Sequence, residues 1–130
     1  MMAKPVVRVT ADGRIHKRRQ KQFPNGDIYD GEFVNGMPDG WGTFQTKDFK
    51  YNGAFSNGLY EGDGEIEYSN GNRFKGTFRK GKRCGYGEMV DLTKNIIYNG
   101  HFHNDKFDGI GTFINERERM EGHWKNGESF

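Results

Sequence analysis

Three histidines are the residues of this chain that first suggest chemistry. His101 and His103 flank Phe102, and His123 takes the place of His101 in a later, similar segment. Imidazoles at one repeat position, as His101 and His123 are, have the outline of a two-histidine ligand pair on neighbouring hairpins. No carboxylate or cysteine stands with them at ligand spacing. They are read as solvent-facing, and no metal site is expected. Cys84 is the single cysteine, which excludes an internal disulfide framework and a Cys-based zinc site; it reads as a free thiol in a reducing compartment. Glycine pairs such as Gly40-Trp41-Gly42 are followed by neither Gly-Lys-Ser/Thr nor a helix start, so they are not phosphate loops. No Ser/His/Asp or Cys/His cluster stands out. The expectation is a protein without catalytic residues or cofactor.

Charge is the second chemical feature. Residues 1–21 hold seven basic side chains, among them Arg8, Arg14, Lys17, Arg18, Arg19 and Lys21, against Asp12 alone, a balance of +6. The remaining thirteen basic and seventeen acidic residues give −4. A basic arm over residues 1–22 thus precedes a mildly acidic body over 23–130. Pro5 and the run Val6-Val7-Arg8-Val9-Thr10 oppose an amphipathic transit helix. The arm can fold as a hairpin about Asp12-Gly13 or remain an extended tail that orders on a partner. No apolar run approaches the roughly 18 residues of a membrane span, and a cytosolic or cytoskeletal location is expected.

Those residues must be carried by an unusual scaffold. Apolar residues make up 32% of the 130, yet aromatics alone make up 15%, beside 20 glycines. That mixture is poor in aliphatic core and too aromatic for a disordered chain. It suits a thin structure in which flat rings cover bare backbone.

A repeat organises the mixture. Tyr29-Asp30-Gly31-Glu32-Phe33 returns as Tyr51-Asn52-Gly53-Ala54-Phe55, Phe74-Lys75-Gly76-Thr77-Phe78 and Tyr98-Asn99-Gly100-His101-Phe102, and again as Met120-Glu121-Gly122-His123-Trp124. Successive starts lie 22, 23, 24 and 22 residues apart. Asn35-Gly36, Asn57-Gly58, Lys80-Gly81 and Asn104-Asp105 follow, each leading to a glycine pair such as Gly62-Asp63-Gly64. The pattern resembles the MORN repeat family over residues 23–130. Phe74 and Met120 depart from the family's leading Tyr, and Asp105 from its loop glycine.

Alternation in a strand puts Tyr29, Gly31 and Phe33 on one face and Asp30 and Glu32 on the other. Each unit reads as strand, a hairpin loop of about six residues, strand and returning turn. The expected fold is all-β: a single-layer, elongated antiparallel meander of about four and a half stacked hairpins, with the basic arm in front. Glycines repeated in register leave backbone over which a ring on the neighbouring strand can lie.

With no helix to cover it, the aromatic face is expected to form a partner-binding groove of Tyr29, Phe33, Tyr51, Phe55, Phe74, Phe78, Tyr98, Phe102 and Trp124. The C-terminal strand edge, ending at Phe130, is expected to allow self-association. The resemblance implies a non-enzymatic scaffold or adaptor in a cytoskeletal or ciliary assembly such as a radial spoke. Two alternatives stand beside it. Arg73, Lys75, Arg79, Lys80, Lys82 and Arg83 suit a peripheral module on anionic phospholipid, although Asp63, Glu65 and Glu67 are placed to pair with Arg73 and Lys75. Lys17-Arg18-Arg19-Gln20-Lys21 suits a subunit of a ribonucleoprotein particle, but the acidic body disfavours nucleic acid.

Overall fold

The computed structural model describes residues 7–129. The expectations placed on Pro5, Val6 and Phe130 lie outside the described residues. Twelve strands follow one another, and no helix occurs among the described residues. β1 (Val7–Val9) and β2 (Ile15–Gln22) form an N-terminal hairpin. Next come β3 (Ile28–Val34) with β4 (Met37–Gln45), and β5 (Phe49–Ser56) with β6 (Leu59–Tyr68). β7 (Arg73–Arg79) with β8 (Lys82–Asp91) and β9 (Ile96–His103) with β10 (Lys106–Ile114) complete four units. β11 (Arg119–Lys125) and β12 (Glu128–Ser129) follow. Order in the sheet is order in the chain, and all eleven neighbouring pairs run antiparallel. The fold is the expected open meander.

Of the two forms left open for the basic segment, the hairpin is the one observed. The Thr10 amide donates to the Arg14 carbonyl across Asp12-Gly13. β2 then pairs with β3 from Lys17 opposite Phe33 to Gln22 opposite Ile28, so the sheet extends through the segment separated by its charge.

Hairpin closure is tighter than the six-residue loops expected. Asn35 and Gly36 alone join β3 to β4, with φ of 51° and 79°. Asn57-Gly58, Lys80-Gly81, Asn104-Asp105 and Asn126-Gly127 repeat this pair of positive angles. Such two-residue turns match the twist of the strands they join. Met37 and Pro38, just after the turn, pair with Val34 and Phe33, and a bulge within the second strand follows them. Gly31 faces Gly42 and Phe33 faces Pro38, so Glu32 alone opposes Asp39, Gly40 and Trp41. Gly40 has a φ of 101° there, a region other residues rarely enter. Ala54 and His101 sit opposite equivalent bulges.

Register lines up one glycine from each strand between β3 and β11: Gly31, Gly42, Gly53, Gly64, Gly76, Gly87, Gly100, Gly111 and Gly122. Rings fill the space above them. A Cβ on Gly42 would meet Tyr29 Cζ at 2.6 Å, and one on Gly64 would meet Tyr51 Cζ at 2.6 Å. Each ring crosses the glycine of its own strand and that of the next. The expected cover of the neighbouring strand's glycine is present, and the glycine of the ring's own strand lies beneath it as well.

The tyrosines also complete the bulges. Tyr29 donates to the Glu32 carbonyl at 2.7 Å, Tyr51 to that of Ala54 at 2.8 Å, and Tyr98 to that of His101 at 2.9 Å. Phe74 has no hydroxyl, and in its unit the register break moves so that Thr77 stays paired with Cys84. Edge-to-face contacts join unit to unit: Tyr29 to Phe55 at 5.0 Å, Tyr51 to Phe78 at 5.3 Å, Phe74 to Phe102 at 5.1 Å. Each such pair adds about 0.5–1.5 kcal/mol beyond area burial. A one-layer sheet thereby acquires a core.

Candidate functional site

The nine rings expected to line the groove are that core. Tyr29, Tyr51 and Tyr98 are wholly buried, and Phe33, Phe55, Phe74, Phe78, Phe102 and Trp124 nearly so, at 7% exposure or less. Rings interlocked over glycine leave little free surface, although Tyr29 and Phe55 still line an open cleft. Contact surface is supplied instead by half-buried neighbours packed against them: Phe23, Phe44, Phe49, Tyr60, Phe107 and Phe113.

Phe23, Pro38, Phe44, Leu59 and Tyr60 enclose an open cleft of about 330 Å³ whose floor is Tyr29 and Phe55. Register explains the lining. Phe44 faces Tyr29 across β3–β4, and Tyr60 faces Phe55 across β5–β6. Tyr60 also stacks on Tyr51 at 3.8 Å, so the cleft wall is fixed to the core. Burial pushes the Tyr60 phenol up to about 12.

β2 brings cations beside this cleft. The Arg19 guanidinium lies 4.4 Å from the centre of the Phe33 ring, and the Lys21 ammonium 5.1 Å from that of Phe23. Arg19 stands opposite Gly31, continuing the glycine row with a side chain that caps its end. Part of the arm's charge is engaged with the body. Arg8 pairs with Glu32 at 2.9 Å, Arg14 with Asp39 at 2.8 Å, and Arg18 with Asp30 at 3.9 Å. Lys17 has no ion pair among the described residues.

The arm is anchored by a buried constellation that gave no signal in the sequence. His16 Nε2 lies 3.2 Å from Asp39 Oδ1, with both side chains under 10% exposed. Asp39 Oδ2 accepts from Arg14 and from the Asn57 amide. Burial pushes the Asp39 carboxyl up, but the Asn57 amide, Arg14 and His16 outweigh it and hold the group below its usual value. Glu32 behaves alike: burial raises it, and Arg8 with the Trp41 amide lower it further. The contacts of Arg14 and His16 with Asp39, and of Arg8 with Glu32, join strands two places apart in the sheet, which single-strand periodicity does not register. The half-buried aromatics did leave a trace. Phe44 and Phe113 sit two residues beyond Gly42 and Gly111, hence on the glycine face.

His101, His103 and His123 are exposed, on the face away from the core. Among the described residues no group of three His, Cys, Asp or Glu side chains is placed to hold a metal ion. Between the second and third units Glu65 opposes Lys75 and Glu67 opposes Arg73 in register, but no ion pair forms between them among the described residues. Arg79 opposes Lys82 across the Lys80-Gly81 turn. There these cations flank a recess with Arg83, Cys84 and His103. The Arg83 side chain turns to Asp105 and over the Phe74 and Phe102 rings.

Comparison with known proteins agrees with this geometry. The MORN repeat profile matches residues 29–48, 51–73, 74–91 and 98–115. Alsin of Rattus norvegicus and alsin of Homo sapiens are each 29% identical over 126 residues, covering 88% of this chain and 8% of their own. MORN repeat-containing protein 3 of Xenopus laevis is 34% identical over 93 residues, 68% of this chain and 30% of its own. The chain therefore spans a small part of the curated relatives it matches.

Proposed function

From the premise that this chain belongs to the MORN-repeat family, we propose that it is a non-enzymatic scaffold that holds protein partners in a larger assembly. Membership itself points to a protein-interaction or membrane-binding module, and the family is generally non-enzymatic. The observation that carries the finer reading is the cleft of Phe23, Phe44, Leu59 and Tyr60 beside the cations of β2. Half-buried aromatics fixed on a rigid core lose little entropy on binding and make good anchors. The nearby positive charge favours a partner whose apolar anchor is followed by acidic residues. The C-terminal strand edge offers self-association as a further contact, through backbone pairing. A cytoplasmic, cytoskeletal or ciliary assembly of the radial-spoke kind is the setting proposed, on the family resemblance alone.

Affinity purification from native extract tests the reading, with the full chain and its Phe44→Ser variant as baits. A protein set that survives detergent and nuclease and is lost from Phe44→Ser supports it. An identical set on both baits removes the cleft from the account.

The Arg79, Lys80 and Lys82 recess favours one second reading, a peripheral module on anionic phospholipid. Like charges facing each other, with no ion pair to Arg79, Lys80 or Lys82 among the described residues, suit a polyanionic surface. Salt-sensitive flotation with anionic liposomes, abolished by Arg79→Glu with Lys82→Glu, would establish it.

A further inference from the structure

The face turned away from the aromatic core differs between the two halves of the sheet. One cross-strand row runs Gln45, Lys50, Glu67, Arg73, Val90, Ile97, Ile114, Arg119, each opposite the next in register. From β4 to β7 it is polar and charged, as a solvated face should be. From β8 to β10 it is three β-branched aliphatics. A second row on this face, Trp41, Ala54, Asp63, Thr77, Tyr86, His101, Ile110 and His123, mixes apolar and polar side chains in both halves, so the difference lies in the first row alone. Ile97 is 39% exposed, Leu92 54% and Ile110 63%. None of these side chains serves the core.

Val90, Ile97 and Ile114 form the floor of a groove of about 360 Å³. Its wall comes from the turns after β8 and β10, through Leu92, Asn95 and Glu116. Asn95 donates to Glu116 at 2.5 Å, joining the two turns. Arg73 and Arg119 bound the aliphatic row at its two ends. Arg73 has no ion pair among the described residues, and Arg119 holds only Glu121 between two exposed side chains. Such exposed pairs contribute little and exchange readily.

We propose that this back face of β8–β10 docks an amphipathic helix whose apolar stripe carries a carboxylate towards each end. β8, β9 and β10 each have a hydrogen-bonded strand on both sides, so the occupant cannot add as a strand and must bring a satisfied backbone, as a helix does. Arg73 and Arg119 are four strand spacings apart, about 19 Å at the usual 4.8 Å. A helix covers that span in about 13 residues, which sets the distance between its carboxylates. A second copy of this chain fits poorly. Stacking the aliphatic row on its own twin, in either two-fold orientation that aligns the rows, sets Arg73 against Arg73 or against Arg119. This surface is independent of the cleft by Phe44.

Two helical 18-residue peptides serve as probes for the full chain, with the same leucine stripe and either Glu or Lys at both ends. Fluorescence anisotropy should show the Glu-ended peptide binding at least tenfold more tightly. Ile97→Glu should weaken it at least tenfold, and Phe44→Ser should leave it unchanged. Arg73→Glu with Arg119→Glu should reverse the preference in favour of the Lys-ended peptide. Absence of binding, equal binding of both peptides, or no effect of Ile97→Glu would overturn the proposal. So would dimerisation of the free chain, or its binding to neutral liposomes, if abolished by Ile97→Glu.

Discussion

Gly111 and Gly122 face each other across β10 and β11, yet one lies under a ring and the other under nothing. A Cβ on Gly111 would meet Tyr98 Cζ at 2.5 Å, whereas one on Gly122 would meet no atom within 4 Å. The backbone is equally bare at both, and what differs is the unit's leading residue. Tyr98 sweeps over Gly100 and Gly111, while Met120 stands where a ring would cover Gly122. The N-terminal margin is different again. There Arg19 takes the glycine position, and the Arg14–Asp39–His16 contacts tie β2 to β4. Interior strands are thus held by rings over glycine, the N-terminal margin by buried polar contacts, and β11 by its ladder and Trp124.

Substitutions can sharpen that contrast. Gly64→Ala, beneath Tyr51, should lower unfolding free energy by about 3 kcal/mol in denaturant titration, since overpacking against a fixed ring cannot relax. Asp39→Ala should cost roughly 2 kcal/mol, because it strands His16 and Arg14. The Asp39 carboxyl lies below its usual value when folded, so its contribution is present above the usual carboxylate range. It is lost as pH falls towards the depressed folded value. Acid titration of wild type and variant should therefore converge at low pH. Tyr98→Phe should cost about 1 kcal/mol, the loss of the donor to the His101 carbonyl. Burial raises the Tyr98 phenol from 10.0 to about 12, so its contribution is whole below pH 10 and is lost as pH rises towards 12. The Tyr98→Phe variant should show a weaker alkaline loss. Gly122→Ala should change stability by less than about 0.5 kcal/mol.

Much of this was legible in the chain. The spacing of Tyr29-x-Gly31-x-Phe33 and its copies gave the hairpins, their order and the face of every core ring. The sequence pattern leaves part of the aromatic face open, and how far the rings cover one another is not legible within one strand. The cover comes from the rings themselves, edge to face across units, which depends on register between strands. Loop length was misjudged for a related reason. Met37 and Pro38 look like loop in one dimension and are paired strand, followed by a bulge over Asp39, Gly40 and Trp41. His16 was silent, since its partner Asp39 belongs to a strand two places away in the sheet.

The claim beneath all of this is that rings laid over paired glycines hold the sheet together and thereby fix the surfaces that bind. Its most direct test is the pair Gly111→Ala and Gly122→Ala, measured side by side by chemical denaturation. Gly111→Ala should lose about 3 kcal/mol, while its register partner stays within about 0.5 kcal/mol of wild type. Equal losses at the two positions would show that strand glycine is required for its own sake, and the role given to the rings would be contradicted.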